Sequence, residues 1–221
     1  MRMRFAMILC LFGCSARAQV TDFPATDFSR ADSIAKRYTA HPLTDLKTLA
    51  DKLTCALSTE QEKFRAIYKW VCSNIEADYY LLTLNKRNRT KWKGAKLARW
   101  NKKFNRMVFD KLQQEQKTVC TGYAYLIREL SFHAGLSCEI VNGYARHSGI
   151  DKNTVGITNH SWNVVQLNSK WYVCDATWSS GVFNLDAHQF VKKYDDRYFL
   201  MEPSLFSQSH YAVNGLVMKD R

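Results

Sequence analysis

Much that would direct a reading of this 221-residue chain elsewhere is scarce in it. Three prolines and nine glycines are spread along its length, and no Ser/Gly-rich linker, low-complexity tract or internal repeat breaks it. That leaves one sizeable globular domain, or one domain with an added subdomain, with 46% apolar residues to build its core. No C-x-x-C occurs, and none of the six histidines stands in an H-E-x-x-H or similar spacing, so the pattern supplies no zinc site and implies no metal. Past the first 20 residues no hydrophobic run approaches the ~20 residues of a membrane-spanning helix.

The first 20 residues read differently from the rest. Arg2 and Arg4 precede an apolar run from Phe5 to Gly13, followed by small residues, which is a secretory signal pattern. Ala16-Arg17-Ala18 fits an A-x-A cleavage site and gives a signal peptide of residues 1–18. Leu11-Phe12-Gly13-Cys14 resembles a lipobox, which would end the leader at residue 13 and anchor the chain through a lipid on Cys14. Phe12 is bulky for a lipobox, so plain secretion is favoured. Either way the chain is expected to be exported, to the periplasm or beyond. Cleavage after Ala18 leaves five cysteines, Cys55, Cys72, Cys120, Cys138 and Cys174. In an oxidising compartment an odd count predicts one free thiol, and if that is Cys120 the other four can pair in three ways.

Acid is missing from one stretch. Lys86 to Arg106 holds ten Lys or Arg and no Asp or Glu, interleaved with Trp92, Trp100 and Phe104, within a chain of net charge +12. Such a strip suits an anionic polymer or envelope surface. Leu97, Trp100, Phe104, Val108 and Leu112 recur at helical spacing, however, so the aromatics are expected to face a core and the cations water. Nucleic acid is not favoured as a partner, because no recognised binding motif accompanies the charge.

Taken in order, residues 19–58 read as a helical segment. Phe28, Ala31, Ile34, Ala35 and Tyr38 mark one helix and Leu46, Leu49, Leu53 and Leu57 a second. Thr59 and Glu62 form a capping-box pattern that opens a third, with Phe64, Ile67, Tyr68, Val71 and Ile75 as its buried stripe. The basic segment leads through a further helix to Val119-Cys120-Thr121-Gly122-Tyr123-Ala124, which places Cys120 at a helix N-terminus. Unpaired N–H groups and the helix dipole favour a thiolate there. That helix is predicted to stop at Gly135.

The period then changes to that of strands, from Cys138 to Tyr144, and a loop follows from Arg146 to Thr158. The stretch from His160 to Trp178 reads as a hairpin turning at Asn168-Ser169. A two-residue turn pairs Leu167 with Lys170, sets His160 opposite Thr177 and Trp162 opposite Asp175, and makes His160 and Asp175 diagonal neighbours on one face, about 7–8 Å apart between backbones. A three-residue turn puts them on opposite faces. In the first register a base and its orienting carboxylate stand together.

The three stretches V-C-x-G-Y-A, H-x-W-N-x-V and W-Y-x-x-D-x-T-W, beginning here at Val119, His160 and Trp171, resemble the transglutaminase-like superfamily, whose fold is related to papain-like cysteine proteases. Gly181, Tyr198-Phe199-Leu200, Pro203, Phe206 and His210 continue the likeness toward the kyphoscoliosis-peptidase branch, with Ala212 where that branch usually has proline. The resemblance covers residues 59–214. It implies an α+β fold in which helices, among them the nucleophile helix, pack on an antiparallel sheet. It also implies Cys120 as nucleophile, His160 as base and Asp175 as its orienter, with a thioacyl intermediate formed from a peptide or glutamine amide and hydrolysis favoured over cross-linking. The backbone N–H of Cys120 is the first oxyanion donor, with an indole of Trp92 or Trp100 as possible second; Tyr123, Trp162, Asn163 and Trp178 are expected around a cleft flanked by loops 146–159 and 179–186. No cofactor is implied, and no acidic cluster suggests calcium. The alternative is a non-catalytic envelope-binding module that docks through residues 86–106. The two separate on substitution. Neutralising Lys86 to Arg106 abolishes the function of a docking module and Cys120→Ala leaves it intact, whereas the reverse pattern marks an enzyme.

Overall fold

The computed structural model describes residues 22–23, 26–146 and 158–213. The signal pattern, the Cys14 lipidation reading and most of the 146–158 loop lie outside the described residues.

Three helices, α1 (Ser29–Arg37), α2 (Leu46–Thr54) and α3 (Glu60–Asn74), build one side of the core. The predicted stripes are buried: Ala31, Ile34 and Ala35 on α1, Leu49 and Leu53 on α2, and Phe64, Ile67, Tyr68 and Val71 on α3 share one cluster. The capping box forms as read from sequence, with Glu62 N–H donating to Thr59 Oγ1 and Thr59 N–H to Glu62 Oε2, each at 3.3 Å. Trp70 and Cys72 are packed inside as well.

The basic segment spans the end of one helix and the start of another: α4 (Tyr79–Lys91) and α5 (Gly94–Glu115). Asp78 joins them, since its Oδ1 caps α4 by accepting from Leu81 N–H at 2.7 Å while its Oδ2 takes Lys111 Nζ of α5 at 2.5 Å. Trp100, Phe104, Val108 and Leu112 point inward, and nine of the ten cations are exposed; Arg89 is half-buried. The amphipathic reading of this strip therefore holds.

A short parallel pair, β1 (Glu76–Ala77) with β2 (Lys117–Thr118), ties the start of α4 to the start of α6 (Cys120–His133). Helix α6 ends as its sequence demands. Gly135 adopts φ +76, its N–H reaches Phe132 O at 3.1 Å and Leu136 N–H reaches Ser131 O at 2.9 Å, the two bonds of a Schellman stop.

The main sheet is antiparallel, in the order β5 (Lys170–Cys174), β4 (His160–Leu167), β3 (Cys138–Ala145), β8 (His210–Ala212). Alternation decides its two faces. Val165, Leu167, Tyr172 and Cys174 join the helical core, while Val141, Trp162 and Val173 pack on the other face under Phe206 of α8 (Pro203–Phe206). Asn163 fastens α6 to the sheet, its Nδ2 donating to Ala124 O at 3.0 Å and Glu139 O at 3.3 Å.

The hairpin has the register expected of a two-residue turn: Leu167 pairs with Lys170 and the ladder runs to Asn163 opposite Cys174. Asn168 (φ 51) and Ser169 (φ 64) are both left-handed, as a type I′ turn requires, although neither is glycine. The pairings of His160 with Thr177 and of Trp162 with Asp175 do not occur. The ladder stops at Cys174 because Asp175 caps α7 (Ala176–Ser180), which takes Thr177 and Trp178 into a helix. The segment 179–186, expected as a loop, is the end of α7 followed by β6 (Gly181–Asn184), which pairs with β7 (Gln189–Lys192). The disulfide expectation also fails: Cys55, Cys72, Cys120, Cys138 and Cys174 are all free thiols, and the buried ones serve as small apolar side chains.

Gly122 shows how tightly the first turn of α6 is seated. A Cβ there would stand 2.0 Å from Thr118 Oγ1 of β2. Gly122→Ala must therefore push the helix start and β2 apart. The expected cost is about 1–3 kcal/mol, read as a fall in Tm, with slower alkylation of Cys120.

Candidate active site

Cys120 is the first residue of α6 and is partly exposed. The residue before it, Val119, provides no side-chain cap. The N–H groups of Cys120 and Thr121 are therefore left without an acceptor from the cap side chain, while that of Gly122 donates to Val119 O at 2.9 Å. Burial pushes the thiol up, but a hydrogen bond to His160, the charge of that ring and a hydrogen bond with the Ser161 backbone pull harder, and the net shift of Cys120 is downward.

His160 opens β4 and is buried. Its Nε2 lies 2.6 Å from Asp175 Oδ2, so the thiol is left to Nδ1. Burial opposes a charged ring here. The carboxylate and the thiol outweigh it and raise His160 from 6.5 to about 10. Between the lowered pKa of Cys120 and this raised value the stable form is thiolate with imidazolium, a preformed nucleophile beside its proton donor.

Asp175 has no exposed surface. Its Oδ1 accepts from Thr177 N–H at 2.9 Å and Trp178 N–H at 3.1 Å, and its Oδ2 accepts from His160 Nε2–H and, at 3.1 Å, from the Nε2–H of His210 on β8. Four donors fill the four acceptor positions of an ionised carboxylate. Burial alone would raise its pKa; the histidines more than reverse this and hold Asp175 well below the usual carboxylate range. The backbone around it is pinned too, since Asp175 N–H donates to Tyr198 O, which also accepts from the Tyr68 hydroxyl of α3.

His160, Asp175 and His210 place one ligand-type atom each within 4.8 Å of one another, a composition that a metal could use. The spacing is that of hydrogen bonds. Ligands around a tetrahedral zinc sit roughly 3.3 Å apart at ~2.0 Å bond lengths, so the 2.6 Å contact between His160 and Asp175 would have to open.

The remaining site residues divide. Trp178 is half-buried with its ring 5.7 Å from that of His160 and 4.5 Å from that of His210, which places it at the site. Tyr123 does not line a cleft: it is fully buried and its hydroxyl donates to Ile75 O at 2.9 Å. Asn163 is the buried clamp between α6 and β3, and Trp162 packs under Phe206. Trp100 gives its indole N–H to Asn85 Oδ1 at 3.0 Å, which commits that donor elsewhere. Trp92 packs edge-on against Trp100 in the cluster that includes Val119, and nothing accepts from its buried indole N–H among the described residues.

Sequence reasoning gave two residues here no role. His210 stands 35 positions from Asp175 on a three-residue strand that carries no alternation signal, and only the family-like spacing after Phe206 drew attention to it. Arg89 lay unmarked among ten cations. It is half-buried, its Nη2–H donates to Thr158 O at 2.6 Å, and no carboxylate among the described residues pairs with it.

Because Asp175 both caps α7 and serves His160, its two tasks can be separated. Asn caps nearly as well as Asp, so Asp175→Asn should keep Tm within a few degrees yet slow Cys120 alkylation at pH 6–7 by tenfold or more. Asp175→Ala should lose the cap as well, at a cost of at least ~1 kcal/mol in thermal or urea unfolding.

A transglutaminase-like superfamily family model matches residues 47–176. Kyphoscoliosis peptidase from Homo sapiens is 31% identical over 189 residues, covering 85% of this chain and 26% of the relative. The Mus musculus protein of the same name is 30% identical over the same shares. The chain thus spans about a quarter of the length of these relatives. Among solved structures, one described as a TGase aligns with TM-score 0.43 and 18% identity over 81% of this chain and 38% of that one. The α+β order of the elements, the family match over more than half the chain and the likeness to these relatives agree, and the chain belongs to the transglutaminase-like superfamily.

Proposed function

We propose that this chain is an exported cysteine-nucleophile enzyme that acts on peptide or glutamine amide bonds. The observation that carries this is the 2.6 Å hydrogen bond from His160 Nε2 to the buried Asp175, with the Cys120 sulfur, whose pKa His160 lowers, at an uncapped helix N-terminus. Residues 59–214 are its transglutaminase-like unit and residues 19–58 the helical segment before it. The signal pattern of residues 1–18 supports export.

In this reading the Cys120 thiolate attacks the amide carbon, and the carbonyl oxygen gathers negative charge toward the Cys120 N–H. His160 then gives its proton to the departing amine as the C–N bond breaks, which leaves a thioester on Cys120 and a neutral imidazole. Water adds to the thioester while His160 takes a proton from it, and the thiolate leaves to restore the starting pair. Hydrolysis is favoured over transfer to a lysine because nothing in the sequence marks an amine-acceptor site. Of the two tryptophans, only Trp92 has an indole N–H without an acceptor among the described residues, which leaves it as the candidate second oxyanion donor.

The test is the pH dependence of iodoacetamide labelling at Cys120, read by mass spectrometry on wild type and His160→Ala. A thiolate stabilised by imidazolium exists below the deprotonation of His160 near pH 10 and above the lowered pKa of Cys120. Labelling should therefore already be fast at pH 6, and in His160→Ala it should become fast only near or above the ordinary thiol value of ~8.5. Wild-type labelling confined to pH above 8 would sink the proposal.

A further inference from the structure

His210 performs no step in that chemistry, yet it is as deeply set as the residues that do. Its ring is stacked on Phe206 at 3.8 Å and lies 4.5 Å from Trp178 and 5.2 Å from Trp162. The strand that carries it is brought in close. A Cβ on Gly143 of β3 would stand 2.1 Å from Tyr211 O and 2.4 Å from the Trp162 ring, so glycine there lets β8 and Trp162 approach together. Phenylalanine would satisfy these apolar contacts without burying two ring nitrogens, so the nitrogens need a reason of their own.

Proton accounting supplies one. An ionised Asp175 can only accept, so the His210 Nε2 that lies 3.1 Å from Oδ2 must carry a hydrogen. Its Nδ1 is 2.9 Å from the Ser209 hydroxyl, whose hydrogen can turn to it or to Phe206 O at 3.4 Å; in the neutral Nε2–H ring Nδ1 is the acceptor. Burial keeps His210 below its ordinary pKa against the pull of Asp175, which agrees with a neutral Nε2–H tautomer.

We infer that His210 is a positioning residue: its Nε2–H fills the last acceptor position of Asp175, and so keeps that carboxylate ionised and aimed at His160. The inference rests on the reading of Cys120 and His160 as the reactive pair. It makes the apparatus a nucleophile, a base and a carboxylate held by two histidines, only one of which exchanges a proton with substrate. The sign of the effect follows from linkage. A carboxylate with a depressed pKa supports the imidazolium above that pKa and loses its hold as pH falls through it. Removing one donor raises the carboxyl pKa, so support is lost at higher pH.

The variants are His210→Phe, which keeps the ring stack and removes the donor, and His210→Gln, whose amide N–H can reach the place of Nε2. Cys120 labelling by iodoacetamide is followed from pH 4 to 9, with Tm recorded for each protein. For His210→Phe the carboxylate is less firmly aimed at His160 and supports the imidazolium less well, so Cys120 labelling at pH 6 should be about tenfold slower than in wild type. His210→Gln should return to within about threefold of wild type. NMR of the 15N-histidine-labelled wild type supplies a readout that needs no variant, and should show His210 as the neutral Nε2–H tautomer between pH 6 and 8. The inference is overturned by the neutral Nδ1–H tautomer, by a folded His210→Phe with the wild-type profile, or by a folded His210→Gln no better than phenylalanine. If wild-type Cys120 is not labelled at pH 6, the reactive-pair reading falls and this one with it. An activated wild type with an unmoved His210→Phe profile removes this inference alone.

Discussion

A negative charge with no contact with water is the constraint around which this fold is arranged. The Asp175 carboxylate has zero exposure and, among the described residues, no Lys or Arg within salt-bridge distance, so hydrogen bonds and the imidazolium of His160 offset its desolvation. Its four donors come from three different structural devices. The α7 cap supplies two backbone N–H groups, the first residue of β4 supplies one, and β8 supplies the fourth. The position of Asp175 is further tied through Tyr198 O to Tyr68 on α3 and, by way of Asp196, to the buried Arg65, which also holds Asp32 of α1. Helices far from the chemistry thus share in holding one side chain.

The cysteines show what that arrangement achieves. The chain uses the same thiol in several surroundings. Burial without a charged partner pushes Cys72 and Cys174 far up, and Cys138 up to about 12, which makes them inert packing groups. Cys120 meets a comparable desolvation penalty, and its pKa still falls. The difference is His160, whose ring remains protonated because Asp175 stands behind it. Reactivity therefore resides in the carboxylate as much as in the sulfur. Free thiols at four other positions need no disulfide to explain them, since three are buried or half-buried and Cys55 lies exposed at the end of α2.

The parts legible in the sequence are those governed by short-range rules. The capping box, the buried stripes of α1 to α3, the stop at Gly135 and the amphipathic face of α5 each follow from residues within a few positions of one another. The hairpin belongs with them, because a two-residue turn fixes its register; the ladder ends at Cys174, however, and Asp175 meets His160 from the cap of α7 rather than from a paired strand position. The failures begin where a local preference competes with a ladder. Asp175 has the side chain of a helix cap, and capping won over three further strand pairs, so Thr177 and Trp178 left the sheet. Tyr123 reads from its motif as a neighbour of the nucleophile, but its face of α6 turns toward Ile75 and the core. His210 was beyond reach for another reason. Its contact with Asp175 depends on a three-residue strand closing the far edge of the sheet, and a strand that short has no period to read.

The basic helices and the reactive site are not independent parts of the molecule. Nine of the ten cations between Lys86 and Arg106 face water, where their field acts on whatever approaches that side. The tenth, Arg89, turns inward from α4 and holds the backbone at Thr158, two residues ahead of His160. Burial lowers its pKa, and the charges of Cys120 and Tyr144 act in the opposite sense, which sets the guanidinium within electrostatic range of the sulfur. A cation so placed, with no carboxylate of its own among the described residues, favours negative charge at Cys120. Helix α4, which carries four of the ten cations, thereby also braces the entry to β4, and a change to it acts on the site as well as on the surface. The two functional readings of the sequence, a docking strip and an enzyme, draw on one element, and Arg89 is the residue through which they meet.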